Sequence, residues 1–572
     1  MNAHSKYIVL IAVVFHITNL FAQDRNNDTI DGGTVTVIKP YTPKIADAFK
    51  VKDIPVLNDS AIRKKKKIKY NIFSIPVAST FTPAKGKAAD VDKEKSLKQY
   101  DNYASLGGGS YATLLGEIYI NHAISRTEQV GGYFSHHSSS GNVKQINFDT
   151  NFYETGLNAY YRKQERNMSW NVESGFELQH FNWYGLPEQD RDIFDVGHSF
   201  YTAHIGGDIT FESPIVKNTS LLFRHFGDDQ DSGENRFVLK TRFTIPLAVD
   251  EVNTEVSVDY LRGLFETDYF NNDELDYGNI TIGLKPNFRI EQEDLTLDLG
   301  LDFVYYKAIG PGEDKFFIYP NVTASYRLVD ELLIAFGSIE GGLKQHSYYD
   351  FAQENPFVSP TLIVSPTDEA YKASIGIKGK LSNNMSYNVR SYYCADNDKA
   401  LFTSNAILNN PINAYQAGNS FGITYDDLKT FAFGGALNID VSRNFTVGLK
   451  ADYYFYTTEN ESEAWNLPNI EASAFLNAQI DEHWYAGANL FFVGERKDLL
   501  IEDGGSVLTF TENQQTLKSY FDANAHVGYK VTERLSAFAK ANNIGNQNYT
   551  RWVNYPVQGF QFLVGATYQF DF

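Results

Sequence analysis

From about residue 101 to the last residue, apolar and polar side chains alternate along the chain in long segments. In the final stretch, GFQFLVGATYQFDF, the residues Phe562, Val564 and Tyr568 fall on one face of an extended strand, whereas Gln561 and Thr567 fall on the other. Successive side chains of a strand point to opposite faces, so this ribbon has one apolar and one polar face. The pattern predicts strands that face lipid on one side and a polar lumen on the other.

Short polar turns alternate with long connections along this region. Turns such as VSRNF (441–445) and VTERL (531–535) are tight, whereas the connections near 346–368 and 398–427 are long. Outer-membrane barrels have this asymmetry, with short periplasmic turns and long external loops. Pairing the segments predicts hairpins over 101–124, 128–162, 168–213, 218–247, 252–290, 293–326, 330–381, 384–442, 445–480, 484–530 and 534–572.

These hairpins correspond to about 22 strands, the size of outer-membrane transporters with a plugged lumen. The predicted fold class is therefore all-β: a large antiparallel transmembrane β-barrel over residues 101–572, with a short extended N-terminal periplasmic segment. A smaller barrel, with some hairpins projecting as loop structure, is the alternative. The aromatic fraction of 15% suits strands that are apolar on one face. A helical membrane protein needs runs of roughly 20 apolar residues, which this region lacks.

The N-terminal part of the chain differs from the rest. Residues 1–22 contain Lys6, the apolar run YIVLIAVVF and a final Ala22, which predicts a cleaved signal peptide. A membrane anchor is the alternative reading. Residues 23–100 contain several prolines and no strong period, which predicts a mostly extended periplasmic segment.

Charge is unevenly distributed between these regions. Residues 23–100 hold 16 Lys and Arg against 9 Asp and Glu, whereas residues 101–572 hold 33 against 61. The sharpest charged feature is the run RKKKKIK, which contains Lys64, Lys65, Lys66 and Lys67. One interpretation is a solvated periplasmic tract. The other is that these lysines bind the acidic lumen and gate it, because opposite charges attract strongly in a confined pore.

No motif of the barrel region indicates catalysis or metal binding. His136 and His137 lack a spaced third ligand. The stretch DDQDSGE (228–234) has loose calcium-loop spacing, but a solvated acidic hairpin tip is the favoured interpretation. No nucleophile-elbow pattern is present, the single cysteine, Cys394, cannot form an internal disulfide, and the acidic body disfavours nucleic acid. We therefore expect no enzyme activity, no cofactor and no metal.

Two aromatic stretches have alternative interpretations. NWYGLP (182–187) and YYFYTT (453–458) lie near strand ends, and an interfacial aromatic girdle is the favoured interpretation over a ligand-stacking surface. The loop over 348–366 is unusually apolar, which predicts a fold into the lumen rather than a partner surface.

The last 40 or so residues resemble the closing hairpin of TonB-dependent receptors. RLSAFAKANNIGNQNYTRW, followed by YPVQGFQFLVGATYQFDF, carries Asn543, Asn546 and Tyr549 at the places of that family's turn. Ile544 and Gly545 depart from the commoner apolar-aromatic pair. The resemblance implies that the C-terminal aromatics are recognised by the barrel-assembly machinery; these are Tyr568, Phe570 and Phe572.

GGTVTVIKPY, residues 32–41, resembles a TonB box, the extended stretch that pairs with the energy-transducing partner by strand addition. The resemblance implies pairing through Thr34, Val35, Thr36, Val37 and Ile38. The alternative is an unspecialised tail. A receptor of this family also carries a plug of well over ~100 residues, and 23–100 is too short for one. The chain thus resembles plug-lacking, receptor-like barrels of Bacteroidota.

These features predict an outer-membrane transport protein of a Gram-negative bacterium, with an unknown solute. The alternatives are a structural or assembly component of an outer-membrane complex, or a plugless passive pore. Expected partners are outer-membrane lipid and lipopolysaccharide, the barrel-assembly machinery, and TonB or other outer-membrane proteins; nucleic acid is not expected.

Overall fold

The computed structural model describes residues 100–186, 195–246, 251–270, 273–310, 312–408, 411–506 and 509–572, without the side chains of 502–512. The signal peptide, the TonB-box-like stretch and the lysine run therefore lie outside the described residues. No helix in the described part of the chain is long and apolar enough to span a membrane.

Strands dominate the described chain. They are β1 (Asn102–Gly109), β2 (Leu114–Ala123), β3 (Glu128–Ser139), β4 (Phe152–Gln164), β5 (Met168–Asn182), β6 (Gly197–Phe211), β7 (Val216–Asp228), β8 (Gly233–Pro246), β9 (Glu251–Phe265), β10 (Leu275–Gln292), β11 (Leu295–Ala308), β12 (Lys315–Val329), β13 (Leu333–Lys344), β14 (Thr367–Ser382), β15 (Met385–Ser404), β16 (Phe421–Ser442), β17 (Phe445–Thr458), β18 (Ile470–Gln479), β19 (Trp484–Val493), β20 (Arg496–Ser506), β21 (Thr509–Leu517), β22 (Tyr520–Lys530), β23 (Leu535–Asn542), β24 (Thr550–Trp552), β25 (Tyr555–Pro556) and β26 (Gln561–Phe570). The described helix is α1 (Tyr348–Glu354), and single 3-10 turns lie at Ser110–Ala112 and Ala414–Gln416.

Twenty-two of these strands form one antiparallel sheet that closes on itself. Each barrel strand pairs with its neighbour in the chain, β19 pairs with β22, and β23 pairs with β26. The ring closes where β1 pairs with β26, from Asn102 opposite Phe570 to Gly109 opposite Leu563. The predicted all-β antiparallel barrel of about 22 strands over residues 101–572 is confirmed, and the smaller-barrel alternative is wrong because every predicted hairpin contributes two strands to the ring.

Small residues form the seam that closes the barrel. Gly107 lies opposite Gly565 in the pairing of β1 with β26. A Cβ atom at Gly565 would overlap the ring of Phe538 and the backbone of Leu106. A larger residue would therefore push the two closing strands apart.

The two faces of the sheet carry different side chains, as the alternation predicts. Large apolar side chains point outward, and Ile375 and Leu106 are 71% and 64% exposed. Polar and charged side chains point inward, and Glu117, Asp302 and Asp452 are buried in the wall. Leu563, the apolar exception on the polar face of the last strand, packs inside against Leu115 and Phe538. An apolar outer surface and a polar interior are the arrangement that a bilayer imposes on a barrel.

The two rims of the barrel differ. One rim carries the short turns, such as residues 293–294, 383–384 and 443–444, and it also holds the start of β1 and the end of β26. The opposite rim carries the long connections, which include α1 and the small hairpins β20–β21 and β24–β25. The largest apolar core of the described chain lies at this long-loop rim rather than in the wall.

Candidate functional site

The connection between β13 and β14, residues 345–366, forms the centre of the long-loop rim; we call it the closing loop. Its helix α1 is capped at the N-terminal end by Ser347, whose Oγ atom accepts a hydrogen bond from the backbone N–H of Asp350 at 3.1 Å. At the other end the capping residue is Asn355, directly before Pro356, which cannot continue the helical hydrogen bonding. The sequence thus permits two turns of helix inside a long loop.

The closing loop crosses the interior of the barrel. On one side, the Nε2 atom of Gln353 donates to the Oε1 atom of Gln179 in β5 at 2.8 Å. On the other side, Val358 forms a parallel bridge with Phe421 at the start of β16. Strands β5 and β16 are half a ring apart in the order of 22 strands, so these contacts require a path through the lumen. The predicted fold of this apolar loop into the lumen agrees with these contacts.

Ion pairs and hydrogen bonds fix the helix to the inner wall. Glu234 of β8 accepts hydrogen bonds through Oε2 from the backbone N–H of Tyr348 at 2.7 Å and from the hydroxyl of Tyr277 at 2.8 Å. Arg236 donates to Asp259 at 2.7 Å and to Asp350 at 3.2 Å, and so links the wall to the helix. Buried charged groups held this way lose a large stabilisation when one partner is removed.

A second arginine completes this attachment. The Nη2 atom of Arg224 in β7 lies 3.7 Å from the Oε1 atom of Glu234 and donates to the hydroxyl of Ser347 at 3.1 Å. Its guanidinium also lies over the ring of Tyr349, 3.7 Å from the ring centroid. The first residues of the closing loop are therefore held by side chains of two adjacent wall strands.

Aromatic side chains pack around the helix; we call this cluster the aromatic core. The ring of Tyr348 makes edge contacts with Phe226 and Phe265, with centroids 5.0 and 4.9 Å apart. Its buried members are Phe200, Phe226, Phe265, Tyr348, Phe351, Ala352, Val358, Leu362, Phe402, Phe421, Leu517, Trp552, Val553 and Tyr555. Because these residues come from wall strands and from three loops, the core joins the loops into one layer across the mouth.

Burial shifts the pKa values of two titratable groups of the closing loop toward their uncharged forms. Burial, with a further contribution from Lys344, lowers the pKa of His346 to about 3. Burial also raises the pKa of Glu354. Both directions indicate that water is excluded from the layer that these loops form.

The acidic stretch 228–234 has a different role from the one predicted. Asp228 accepts hydrogen bonds through Oδ1 from the backbone of Gln230 and Ser232, at 2.9 Å each, and through Oδ2 from the hydroxyl of Tyr348 at 2.7 Å. Asp228 and Glu234 are 5% and 1% exposed. The solvated-tip interpretation is thus wrong for these two carboxylates, because strand alternation turns them inward, where the closing loop covers them.

The aromatic stretch 182–187 also differs from the prediction. Trp183 is 2% exposed and stacks on the ring of His198, with centroids 3.9 Å apart. Tyr184 packs against Tyr555 in the same layer of loops. The girdle interpretation is wrong here, whereas Tyr453 and Phe455 of the second stretch do point outward, at 39% and 55% exposure.

The other residues singled out by the sequence lie in the wall. His136 contacts the hydroxyls of Thr155 and Ser138, at 2.8 and 3.1 Å, and His137 packs against the ring of Phe152. At the C terminus, Tyr568 and Phe572 are 45% and 80% exposed, and the Phe570 ring contacts both of their rings. Their predicted role in barrel assembly stays a prediction.

One group of potential metal ligands was not anticipated. Glu369, Cys394 and Asp396 each place one ligand atom within 4.8 Å of the others, on the inner wall of β14 and β15. The Nζ atom of Lys399 lies 3.3 Å from the Oδ2 atom of Asp396 and offsets part of this negative charge. No local sequence pattern indicates this group, because its members come from two strands.

Comparison with known proteins relates the fold to one class. No protein-family model matches the chain, and no curated protein matches its sequence. The ferripyoverdine receptor of the outer membrane of Pseudomonas aeruginosa superposes with a TM-score of 0.61 at 13% identity, over 84% of this chain and 73% of that one. The ferric-catecholate import receptor Fiu of E. coli K12 gives 0.59 at 11%, over 82% of each chain. The copper transporter OprC gives 0.57 at 12%, over 83% and 82%.

At these identities the similarity concerns the fold. The architecture of the chain is that of the 22-strand barrel of TonB-dependent receptors, as the closing hairpin indicated. These neighbours are two receptors and a transporter. The expected lack of enzyme activity in this chain stays a prediction.

Proposed function

We propose that this chain is an outer-membrane transport protein whose lumen is closed on the outer side by its own closing loop. The observation that carries the proposal is the loop itself. It crosses a closed barrel and is attached to the wall by Glu234, Arg224 and Arg236. Displacement of residues 345–366 opens the path of the solute. The polar inner wall, with its paired charges, then lines that path.

We also propose the orientation and the processing that the sequence indicates. The chain enters β1 at the rim that carries the short turns, which supports a periplasmic position for residues 23–100 and an external position for the long loops. Residues 1–22 are removed as a signal peptide, and the apolar outer surface contacts outer-membrane lipid and lipopolysaccharide. N-terminal sequencing of the protein purified from a Gram-negative outer membrane tests the cleavage, with Gln23 expected as the first residue.

Transport is proposed to be energised by TonB through Thr34 to Ile38. The barrel fold shared with TonB-dependent receptors supports this assignment. Deletion of residues 32–41 tests it, because TonB binding should be lost while the barrel still assembles. Binding that survives the deletion would remove the assignment.

A further proposal concerns Lys64 to Lys67, which we place against the acidic groups of the inner wall from the periplasmic side. In a variant in which a short turn replaces residues 345–366, further replacement of the four lysines by glutamine should raise ion leakage through the barrel. Unchanged leakage would leave the run as a solvated tract.

The C-terminal aromatics Tyr568, Phe570 and Phe572 are proposed to direct the chain to the barrel-assembly machinery. Removal of Phe572 should lower the amount of barrel in the outer membrane several-fold without changing its thermal unfolding once folded. Equal amounts of assembled protein would contradict this role.

The conductance of the mature protein in a planar bilayer, with and without residues 23–100, separates the transport proposal from its alternatives. A full protein that is closed and a shortened one that conducts would make the N-terminal segment, and not the closing loop, the gate. If both are closed, the external loops alone seal the lumen. If a closed barrel also co-purifies in fixed ratio with other outer-membrane proteins, a structural role replaces transport. Steady conduction by both indicates a passive pore.

A further inference from the structure

A cavity of about 230 Å³ lies at the long-loop end of the barrel, between the inner wall and the layer of loops. The wall contributes inward side chains from β2 to β5, β23 and β26, among them Leu115, Gln179 and Leu563. The closing loop and the hairpin β24–β25 contribute the opposite side, with Phe357, Trp552 and Tyr555. The cavity is thus lined by groups that the fold brings together from six wall strands and several of the loops that connect them.

Aromatic rings dominate one side of this cavity. Phe357 stacks on Tyr555, with ring centroids 3.7 Å apart, and Tyr184 packs against both rings. Phe181 and Trp552 extend the same surface. Offset stacking and edge contacts with such rings favour a flat apolar body.

Positive charge lies at the same cavity. Arg551 and Lys540 both line it, and Lys540 is 5% exposed, with its Nζ atom 5.2 Å from the centroid of the Phe538 ring. The carboxylate that lines it, Glu154, accepts a hydrogen bond from the side chain of Gln179 at 3.5 Å. Lys540 also interacts with the buried carboxylate of Glu117 in β2, which offsets its charge. Arg551 is therefore the cation of the lining that keeps a buried donor without an acceptor among the described residues.

Arg551 has unused capacity for hydrogen bonding. Its Nη2 atom and the Nε1 atom of Trp552 are buried and have no acceptor among the described residues. Arg496 of β20 donates to the backbone oxygen of Arg551. Donors that are buried without an acceptor cost free energy, so an anionic oxygen at this place would be strongly bound.

We infer that this cavity binds an amphipathic organic anion, with a compact ring-bearing body on the aromatic surface and a carboxylate or sulfonate head at Arg551 and Lys540. A guanidinium is well suited to such heads because its planar donors match two oxygens at once. The inference concerns binding and does not depend on whether the barrel transports the ligand.

Equilibrium dialysis of the full-length protein in lipid nanodiscs tests the inference, with empty nanodiscs subtracted. The probes are 2-naphthoate and its uncharged analogue 2-naphthalenemethanol. The anion is expected to bind about tenfold or more tightly than the alcohol. Arg551→Gln should weaken binding of the anion by about tenfold and leave the alcohol within about twofold, whereas Arg126→Gln, at an exposed turn, should change neither.

Two results would overturn the inference. One is equal affinity for the anion and the alcohol, which would leave an apolar cavity without a head-group site. The other is anion affinity that neither Arg551→Gln nor Lys540→Gln changes. If Arg551→Gln does not fold, as judged by thermal unfolding, Lys540→Gln carries the same comparison from the wall side. Loss of anion binding should be accompanied by loss of the quenching that naphthoate produces in the fluorescence of Trp552.

Discussion

The barrel wall and the closing loop are held in place by different interactions. In the wall, backbone groups of adjacent strands pair along the whole ring, and the side chains only have to alternate between an apolar and a polar face. In the closing loop, specific side chains do the holding, and Glu234 contacts the helix through a single carboxylate oxygen. The wall therefore tolerates substitution that keeps the pattern, whereas the loop depends on individual residues. A gate that must open without unfolding the barrel needs this division.

Replacement of Glu234 by alanine should have the largest effect on the loop. It removes the acceptor of the Tyr348 backbone and leaves Arg224 with less compensation, at a cost of about 3–5 kcal/mol. Hydrogen exchange of the amides in 345–366 should accelerate strongly, and the exchange of the wall strands should not. Glu255→Ala in the next strand is the control, since its partner Arg242 is 68% exposed and the pair contributes less than about 1 kcal/mol. Equal acceleration by both variants would contradict the special role of Glu234.

Two neighbouring positions of β14 test whether alternate residues of the wall face lipid and lumen. Ile375 points outward in the middle of β14 and is 71% exposed, whereas Ser374 points inward. Ile375→Lys should destabilise the barrel by about 2–4 kcal/mol, because a charge then faces the hydrocarbon, and Ser374→Lys should cost far less. Urea unfolding in lipid vesicles measures both. Similar losses of stability at the two positions would mean that the alternation does not separate lipid-facing residues from lumen-facing residues.

Tyr348→Phe should destabilise the closing loop less than Glu234→Ala does. The hydroxyl of Tyr348 donates to Asp228 at 2.7 Å, and its loss leaves a buried acceptor with one partner fewer, a cost of about 1–3 kcal/mol. The closing loop should therefore open more often while the aromatic core keeps its packing. The rate of proteolysis within 345–366 measures the opening, and Tyr425→Phe, which removes a hydroxyl contact near the loop's far end, serves as the comparison. No change in proteolysis on Tyr348→Phe would show that the ring alone fixes the helix.

The smallest effect is expected from pH at the hairpin β20–β21, outside the barrel wall. Burial raises the pKa of Asp498 to about 7, above its ordinary value of 3.8. The folded form therefore favours the protonated acid, and the stability from this group is full below about pH 4 and is lost as pH rises through 7. Amide exchange at Leu499, corrected for intrinsic rates, should increase a few-fold, roughly, between pH 5 and 8. Asp498→Asn should abolish this dependence, and Glu495→Gln, at an exposed neighbouring acid, should preserve it.

Sequence alternation was enough to predict the wall. Period-two patterning assigns a residue to a face, and it identified each hairpin of the ring. It predicts a single hairpin over 484–530, but this segment also contains β20 and β21, which pair with each other and not with the wall. Local alternation does not show whether a strand joins the barrel wall or pairs only within its own loop.

The closing loop was predictable only as far as its apolar composition allowed. The sequence indicated that residues 348–366 fold inward, but it did not identify the acids that hold them. Asp228 and Glu234 lie more than a hundred residues from Tyr348, and their stretch looks like an ordinary exposed turn. Trp183 was assigned to the membrane interface for the same reason, since a contact with a distant loop leaves no local period.

The measurement that tests the central claim most directly is the conductance of two proteins in a planar bilayer: the full-length chain and a variant in which a short Gly-Ser turn replaces residues 345–366. The closing loop is attached to both halves of the ring, so its removal should convert a closed barrel into one that conducts steadily. Thermal unfolding of the wall should be unchanged, since the strand pairing does not include the loop. A wild-type barrel that already conducts, or a variant that stays as closed as the wild type, would contradict the claim that this loop is the outer gate.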